Sequence, residues 1–197
     1  SRHLLAGSTL GLKAAVGYWR TDTRLEYHRD AATFHEKTAE ANFIPSLLDK
    51  QRLVLTTATR TLATSGPDKG YVTEPDTGLV IASRSVVAHD MVSLAWLLEN
   101  RKLAPETEKT GWRNDPYKSQ MFVGIANRVV VKWLGGLGAA LGAERLIRND
   151  IDTIWDDRVL NRAYWLLTGV PEIVLVDPAD SVPPAIKGTL AAMVKPH

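Results

Sequence analysis

The stretch Gly78–Asp90, GLVIASRSVVAHD, decides the fold class because it joins two patterns of different period. Its first part, GLVIAS, is a short continuous apolar run of the kind found in buried strands. Ser85 follows at the position of a helix N-cap, and apolar residues then recur at intervals of three and four. We therefore predict a strand over residues 78–83 and a helix that ends near Lys102.

Strand and helix patterns alternate along the rest of the chain. Arg52–Ala63 is rich in Val, Leu and Thr, and Glu172–Val176 is a short apolar run, so both are predicted strands. The polar and aromatic segment Gly17–Arg29 is predicted to be a loop or an irregular hairpin. The alternation favours an α/β fold with a mixed or mostly parallel sheet flanked by helices, and with a helix-rich C-terminal half. Further helices are expected over residues 30–48 with a kink or restart at Pro45, 119–134, 139–148, 156–167 and 186–194.

Length and composition are those of an ordinary globular protein. The chain has 197 residues, of which 45% are hydrophobic and 23% are charged. This length is sufficient for one well-formed core. We expect a single α/β domain over residues 1–197, with a helical subregion over 105–170.

Residue counts exclude several classes of partner and cofactor. The 24 Lys and Arg residues exceed the 22 Asp and Glu residues by two and are scattered, so nucleic-acid binding is not expected. The longest apolar run, Met121–Ala143, contains Asn127, Arg128 and Lys132, which argues against a membrane span. The chain has no cysteine, so a cysteine-ligated iron–sulfur cluster is excluded within it. Composition leaves the compartment open between cytoplasmic and exported.

The first candidate site is the step from Ser83 through Arg84 to Ser85. Backbone N–H groups, two hydroxyls and a guanidinium at a helix start can hold a carboxylate or a phosphate. An ordinary N-cap beside an exposed Arg84 is the alternative. Asp90 either partners the helix dipole or points into a cleft at the carboxyl end of the strand. If the loop over residues 17–29 covers this cleft, positive charge would come from Lys13, Arg20, Arg24 and Arg60.

Histidines provide the candidate metal ligands. His28 and His35 would lie about 10 Å apart along one helix, which is too far for both to bind one ion. If His28 lies before the helix, the two could approach each other. The metal candidates are therefore His28 and Asp90, and histidines with purely structural hydrogen bonds are the alternative.

The glycine-rich stretch WLGGLGAALGAE, residues 133–144, resembles a dinucleotide-binding loop only in part. Leu141 occupies the place of the last small residue in that motif, so the spacing fails. A small helix face that packs closely is the better interpretation, formed by Gly135, Gly138 and Gly142.

Several short motifs, taken in order, resemble the bacterial and archaeal family catalogued as domain of unknown function 362. They are TLGLKAAVG (Thr9–Gly17), His28, SGPDKG (Ser65–Gly70) and LVIASRSVVAHD (Leu79–Asp90). The family has a Lys-Asn-x-x-Gly segment, a His, a G-x-G-P-x-x-G turn and an A-S-x-D-x-V-A-x-D segment in this order. The resemblance covers the first half of the chain. The positions that fall on the family pattern are Lys13, His28, Gly66, Pro67, Gly70, Ser83 and Asp90.

The resemblance implies an α/β fold and, in many members, a link to iron–sulfur segments, but it implies no reaction. It also implies further structure upstream, so we expect this chain to be the C-terminal part of a larger protein. Three positions depart from the pattern: Ala14 replaces an Asn, and Ser85 and Thr57 replace acids. Fewer carboxylates weaken a site for a hard cation, which needs several oxygen ligands.

Two functions remain open at this point. The first is an enzyme-like domain with a cleft for a small anionic ligand or a metal, in which Asp90 and His28 are the catalytic candidates. Its ligand-binding residues would be Lys13, His28, Arg60, Ser83, Arg84 and Asp90. The second is a non-catalytic binding or assembly module that has lost acidic site residues, in which exposed Trp residues form an interface and the chain self-associates.

Overall fold

The described part of the protein is mostly helical, and its strands are short. The computed structural model describes residues 2–3, 7–8, 10–64, 70–110, 120–147 and 151–196. The strands there are β1 (Arg2–His3), β2 (Gly7–Ser8), β3 (Val54–Ala58), β4 (Thr61–Leu62), β5 (Val72–Thr73) and β6 (Leu79–Ser83). The helices there are α1 (Gly11–Ala14), α2 (Thr21–Arg29), α3 (Phe34–Glu40), α4 (Pro45–Leu48), α5 (Val86–Arg101), α6 (Glu106–Thr110), α7 (Gln120–Leu141), α8 (Arg158–Leu166) and α9 (Pro184–Val194).

The strands of the described residues pair as three separate antiparallel sheets, β1–β2, β3–β6 and β4–β5. In the longest pair, Val54 lies opposite Ser83 and Ala58 lies opposite Leu79. The predicted mixed or mostly parallel sheet is therefore wrong. A parallel pair needs a long crossover connection. The described residues between Ala58 and Leu79 instead form the β4–β5 hairpin, which returns the chain antiparallel to β3.

The local predictions with a clear capping signal are confirmed. The stretch Gly78–Asp90 forms β6 and the start of α5, and Ser85 Oγ accepts the N–H of Ala88 at 3.2 Å. Helix α8 is capped in the same way by Asp157, whose Oδ1 accepts the N–H of Leu160 at 2.8 Å. Helix α4 begins at Pro45, where the sequence predicts a restart. The helix-rich C-terminal half is also confirmed.

Three other local predictions are wrong. The segment Gly17–Arg29, predicted to be a loop or hairpin, contains α2. The helix predicted over 139–148 is too long: the expected break does occur, at Gly136, where φ is 80°, but the helical turns after it end at Leu141. Residues 172–176 belong to no strand, because no backbone group among the described residues forms a hydrogen bond with them.

Helix α5 lies at the centre of the main core. Its buried side chains contact β3, β6, α1, α8 and α9, and a fully buried aliphatic or aromatic side chain contributes about 1.5–3 kcal/mol. Trp96 Nε1 donates to the carbonyl oxygen of Ala58 at 3.2 Å, which ties the helix to β3. This placement brings the first turns of α5 against the start of α1.

A second packing contact joins α2 to α7. A Cβ added at Gly135 would lie 2.6 Å from Leu25 Cδ2, so a larger residue there would require the Leu25 side chain to move. Gly138 has no such neighbour, and the nearest atoms to Gly142 belong to its own helix. The predicted small face therefore consists of Gly135 alone.

No helix in the described ranges is both long and apolar enough to cross a membrane, in agreement with the sequence.

Candidate functional site

The Asp90 carboxylate binds the start of α1 inside the core. Its Oδ1 accepts the N–H of Gly11 at 2.8 Å and its Oδ2 accepts the N–H of Leu12 at 2.7 Å. Helix α1 has no side-chain cap of its own, so Asp90 supplies both the cap and a negative charge at the positive end of the helix. Only 2% of Asp90 is exposed, and its two oxygens are therefore occupied by backbone rather than open to a ligand.

His89 connects Asp90 to Ser93. Its Nδ1 lies 2.8 Å from Asp90 Oδ1, and its Nε2 lies 3.4 Å from Ser93 Oγ. The order of groups is that of a hydrolase triad, but all three residues are buried and lie on one helix. The network satisfies buried polar groups, which would otherwise cost stability.

His28 is held in place by a double hydrogen bond with Asn127 of α7. Asn127 Nδ2 donates to the carbonyl oxygen of His28 at 2.8 Å, and Asn127 Oδ1 lies 3.0 Å from His28 Nδ1. Because an amide oxygen only accepts, Nδ1 carries the proton and Nε2 keeps a lone pair. No partner of Nε2 lies among the described residues.

Burial lowers the pKa of His28 from 6.5 to about 4. The hydrogen bond with Asn127 acts in the opposite direction, and the positive charges of Lys13 and Arg24 lower this pKa further. His28 is therefore neutral at pH 7, and its imidazole is packed against the ring of Phe34 with 4.9 Å between ring centroids.

Lys13 and Arg24 are the charged groups that act on His28. Burial, followed by the charge of Arg24, lowers the pKa of Lys13. Among the described residues, Arg24 Nε is buried with no hydrogen-bond partner, and Nη2 reaches only Thr21 Oγ1 at 3.5 Å. Neither side chain forms an ion pair with a carboxylate of the described residues. The result is a half-buried pair of cations beside a neutral imidazole.

The other predicted site residues, Arg60, Ser83 and Arg84, lie apart from the group formed by Lys13, Arg24 and His28. Arg60 lies on the surface, where its Nε donates to Glu74 Oε1 at 2.8 Å. Ser83 Oγ accepts the N–H of Ser85 at 3.1 Å, and the side chain of Arg84 is exposed. Ser83 lies opposite the first residue of β3, whereas Arg60 follows its last residue. These residues are therefore at opposite ends of the sheet, and residues 65–69 of the predicted turn lie outside the described residues.

Sequence reasoning missed Asn127, which stands out as an amide within an apolar helical run. Its exposed fraction is 1%, and buried amides of this kind are normally hydrogen-bonded. That signal marks Asn127 as a partner of some buried group, but not as the partner of His28.

No group of three or more potential metal ligands among His, Asp and Glu is found in the described part of the chain.

The match found by comparison with known protein families covers the first half of the chain. Residues 1–95 match the family model described as Domain of unknown function (DUF362). No curated protein and no solved structure matches the chain. Lys13, Arg24, His28 and Asp90 lie within the matched residues, and Asn127 lies outside them. The match over residues 1–95 therefore confirms the resemblance to the DUF362 family that the sequence predicts.

Proposed function

We propose that Lys13, Arg24 and His28 bind a small anionic ligand. The observation that carries the proposal is the pair of half-buried cations, Lys13 and Arg24, neither of which is neutralised by a carboxylate of the described residues. Burying a charge without a counter-charge is costly. An anion placed between these side chains would remove that cost and would fill the open hydrogen-bonding position at Arg24 Nε.

The physical chemistry of the group favours an oxyanion. A guanidinium and an ammonium donate strong charge-assisted hydrogen bonds to carboxylate and phosphate oxygens. Burial and then the charge of Arg24 lower the pKa of Lys13, and a bound anion would act against both because it stabilises the charged ammonium. Phosphate and carboxylate ligands are therefore the chemical class that we expect at this site.

His28 would contribute a proton acceptor to the same site. Asn127 holds the Nδ1 proton, so the lone pair of Nε2 is the group left for a ligand O–H. A bound anion would raise the pKa of His28, because it offsets the charges of Lys13 and Arg24. This supports recognition of a protonated anion, such as a monohydrogen phosphate, and leaves any reaction at the site open.

The test is a titration with inorganic phosphate and with citrate, followed by calorimetry on the folded protein. Each charge-assisted hydrogen bond is worth about 1.5–3 kcal/mol, so Lys13→Met and Arg24→Gln should each weaken binding about 10- to 100-fold. Arg20→Gln is the matched control, because Arg20 is exposed and pairs with Asp22 at 3.0 Å. Equal affinities of all three variants, or no binding by the wild type, would reject the proposal.

Self-association is the second candidate function, and one surface favours it. Apolar side chains spaced four residues apart form an exposed row along α7, and rows of this spacing are the ridges by which helices pack. The row consists of Met121, Ile125, Val129 and Trp133, which precede the kink at Gly136. A second copy could pack the same row against it around a two-fold axis.

Analytical ultracentrifugation of two tryptophan variants tests this second candidate. Trp133 is 81% exposed, so Trp133→Ala should shift a dimer towards monomer. Trp165→Ala is the control. Trp165 is also exposed, but it lies on α8 and not on α7, and the guanidinium of Arg162 lies 4.0 Å from its ring centroid. A wild type that sediments as a monomer at all concentrations would contradict self-association.

A further inference from the structure

A slot separates β6 from the segment 172–177. It encloses a cavity of about 320 Å³ lined by every residue of β6 and by every residue from Glu172 to Asp177. Both the inward-facing and the outward-facing residues of each wall line it, so the cavity lies between the two backbones and not on one face of them.

Both walls of the slot carry unused backbone hydrogen-bonding groups. Strand β6 pairs only with β3, so its other edge is free among the described residues. Among the described residues, the backbone groups of residues 172–176 have no hydrogen-bond partner, and the side chains of these residues alternate between exposed and half-buried as they do in a strand. Backbone N–H and C=O groups that lack a partner cost stability when they are shielded from water, and a free strand edge is a template for another strand.

The side chains of the two walls already follow the alternation of a sheet. Ile173 and Leu175 pack against the main core, whereas Val174 and Val176 are exposed. In β6, Leu79 and Ile81 are buried while Val80 is exposed. The floor of the slot comes from α5 and α9, through the apolar side chains of Ala88, Val92 and Leu190 and through His89 and Lys187.

The far wall is held away from β6 by contacts at its end. Asp177 Oδ2 accepts the N–H of Val182 at 2.8 Å and lies 3.3 Å from Lys187 Nζ. Lys187 Nζ also donates to Asp180 at 2.9 Å. These bonds fix the segment to the start of α9, so the slot is formed in advance of any occupant.

We propose that the slot binds an extended segment of a partner polypeptide, which forms a strand between β6 and residues 172–176. Only a peptide backbone supplies donors and acceptors on both of its edges at strand spacing. Alternate side chains of the segment would enter the floor near Val92 and Leu190, so they should be apolar. The site is of the strand-addition type, in which backbone bonds give affinity and alternate side chains give specificity.

The experiment uses the peptide acetyl-Lys-Val-Thr-Val-Thr-Val-Lys-amide and a copy of it methylated on the backbone nitrogens of all three Val residues. We expect the first peptide to bind and to slow hydrogen exchange of amides in residues 79–83 and 172–176 at least tenfold. The methylated peptide should not bind, because it lacks donors along one edge. Binding of both peptides alike, or no slowing of exchange in the two segments, would overturn the proposal.

Two further measurements test whether the peptide binds in the slot itself and whether a second copy of the protein occupies the slot instead. Ala88→Leu should fill the slot and abolish peptide binding while Ala14→Leu, at an exposed position of α1, should leave it unchanged. Both variants should unfold in a single cooperative transition, which shows that a loss of peptide binding does not come from a failure to fold. If amides of residues 79–83 and 172–176 are already protected in a dimer of the protein alone, a second copy fills the slot and the partner proposal is overturned. The outcome is independent of anion binding, which involves other residues.

Discussion

Acidification from pH 7.5 to pH 4 should destabilise the protein through His28. Its pKa is about 4 in the folded protein and 6.5 in an unfolded chain. Between these values the unfolded chain binds a proton that the folded protein does not, so the free energy of unfolding decreases as the pH falls. The contribution is complete above pH 6.5 and lost at pH 4. At about 1.4 kcal/mol per pH unit, the loss is about 3 kcal/mol.

Urea unfolding at a series of pH values, for the wild type and for His28→Asn, measures this loss. The amide nitrogen of Asn takes the place of Nδ1 and can still donate to Asn127 Oδ1, but it does not titrate. The wild type should lose about 3 kcal/mol more than the variant between pH 6.5 and pH 4. Asp30 and Asp156 have lowered pKa values, so their losses come at lower pH and are common to both proteins. Parallel pH dependences of the two proteins would refute the reasoning.

Three substitutions test how α1 and α7 are held. Asp90→Asn should reduce the free energy of unfolding by about 2–3 kcal/mol, because its amide nitrogen would face a backbone N–H; Asp49→Asn, at an exposed position, is the control in urea unfolding. Gly11→Ala should cost about 1–3 kcal/mol in the same assay, since the added Cβ would lie 2.8 Å from Asp90 Oδ1; an unchanged midpoint would contradict it. Gly136→Ala should lower the thermal midpoint because φ is 80° there, whereas Gly138→Ala, with nothing within 4 Å of the new Cβ, should leave it equal or higher.

Local signals in the sequence were sufficient for β6, α5 and α8. Strand β6 is marked by a short apolar run, each of the two helices by a capping residue followed by a hydrophobic period, and the structure confirms all three elements. Sheet topology depends on where the chain turns back, and short apolar runs do not contain that information. The segment 172–176 makes the same point, because it has the composition of a strand but no pairing partner among the described residues.

Long-range contacts account for the other differences. Helix α2 is polar and aromatic, and its sequence resembles a loop; Leu25 nonetheless packs into the gap left by Gly135 of α7. The candidate site depends both on short motifs in the sequence and on contacts between segments that are far apart along the chain. The family motifs point to Lys13 and His28, whereas Asn127, which sets the tautomer of His28, lies 99 residues away along the chain. No spacing rule connects such a pair.

An NMR titration of the His28 ring nitrogens, with and without saturating inorganic phosphate, tests the central claim most directly. At pH 7 without phosphate we predict a proton on Nδ1 alone and a pKa near 4. With phosphate bound between Lys13 and Arg24, we predict a higher pKa and a shifted Nε2 resonance. A His28 that titrates near 6.5, or one whose titration is the same with and without phosphate, would contradict the account.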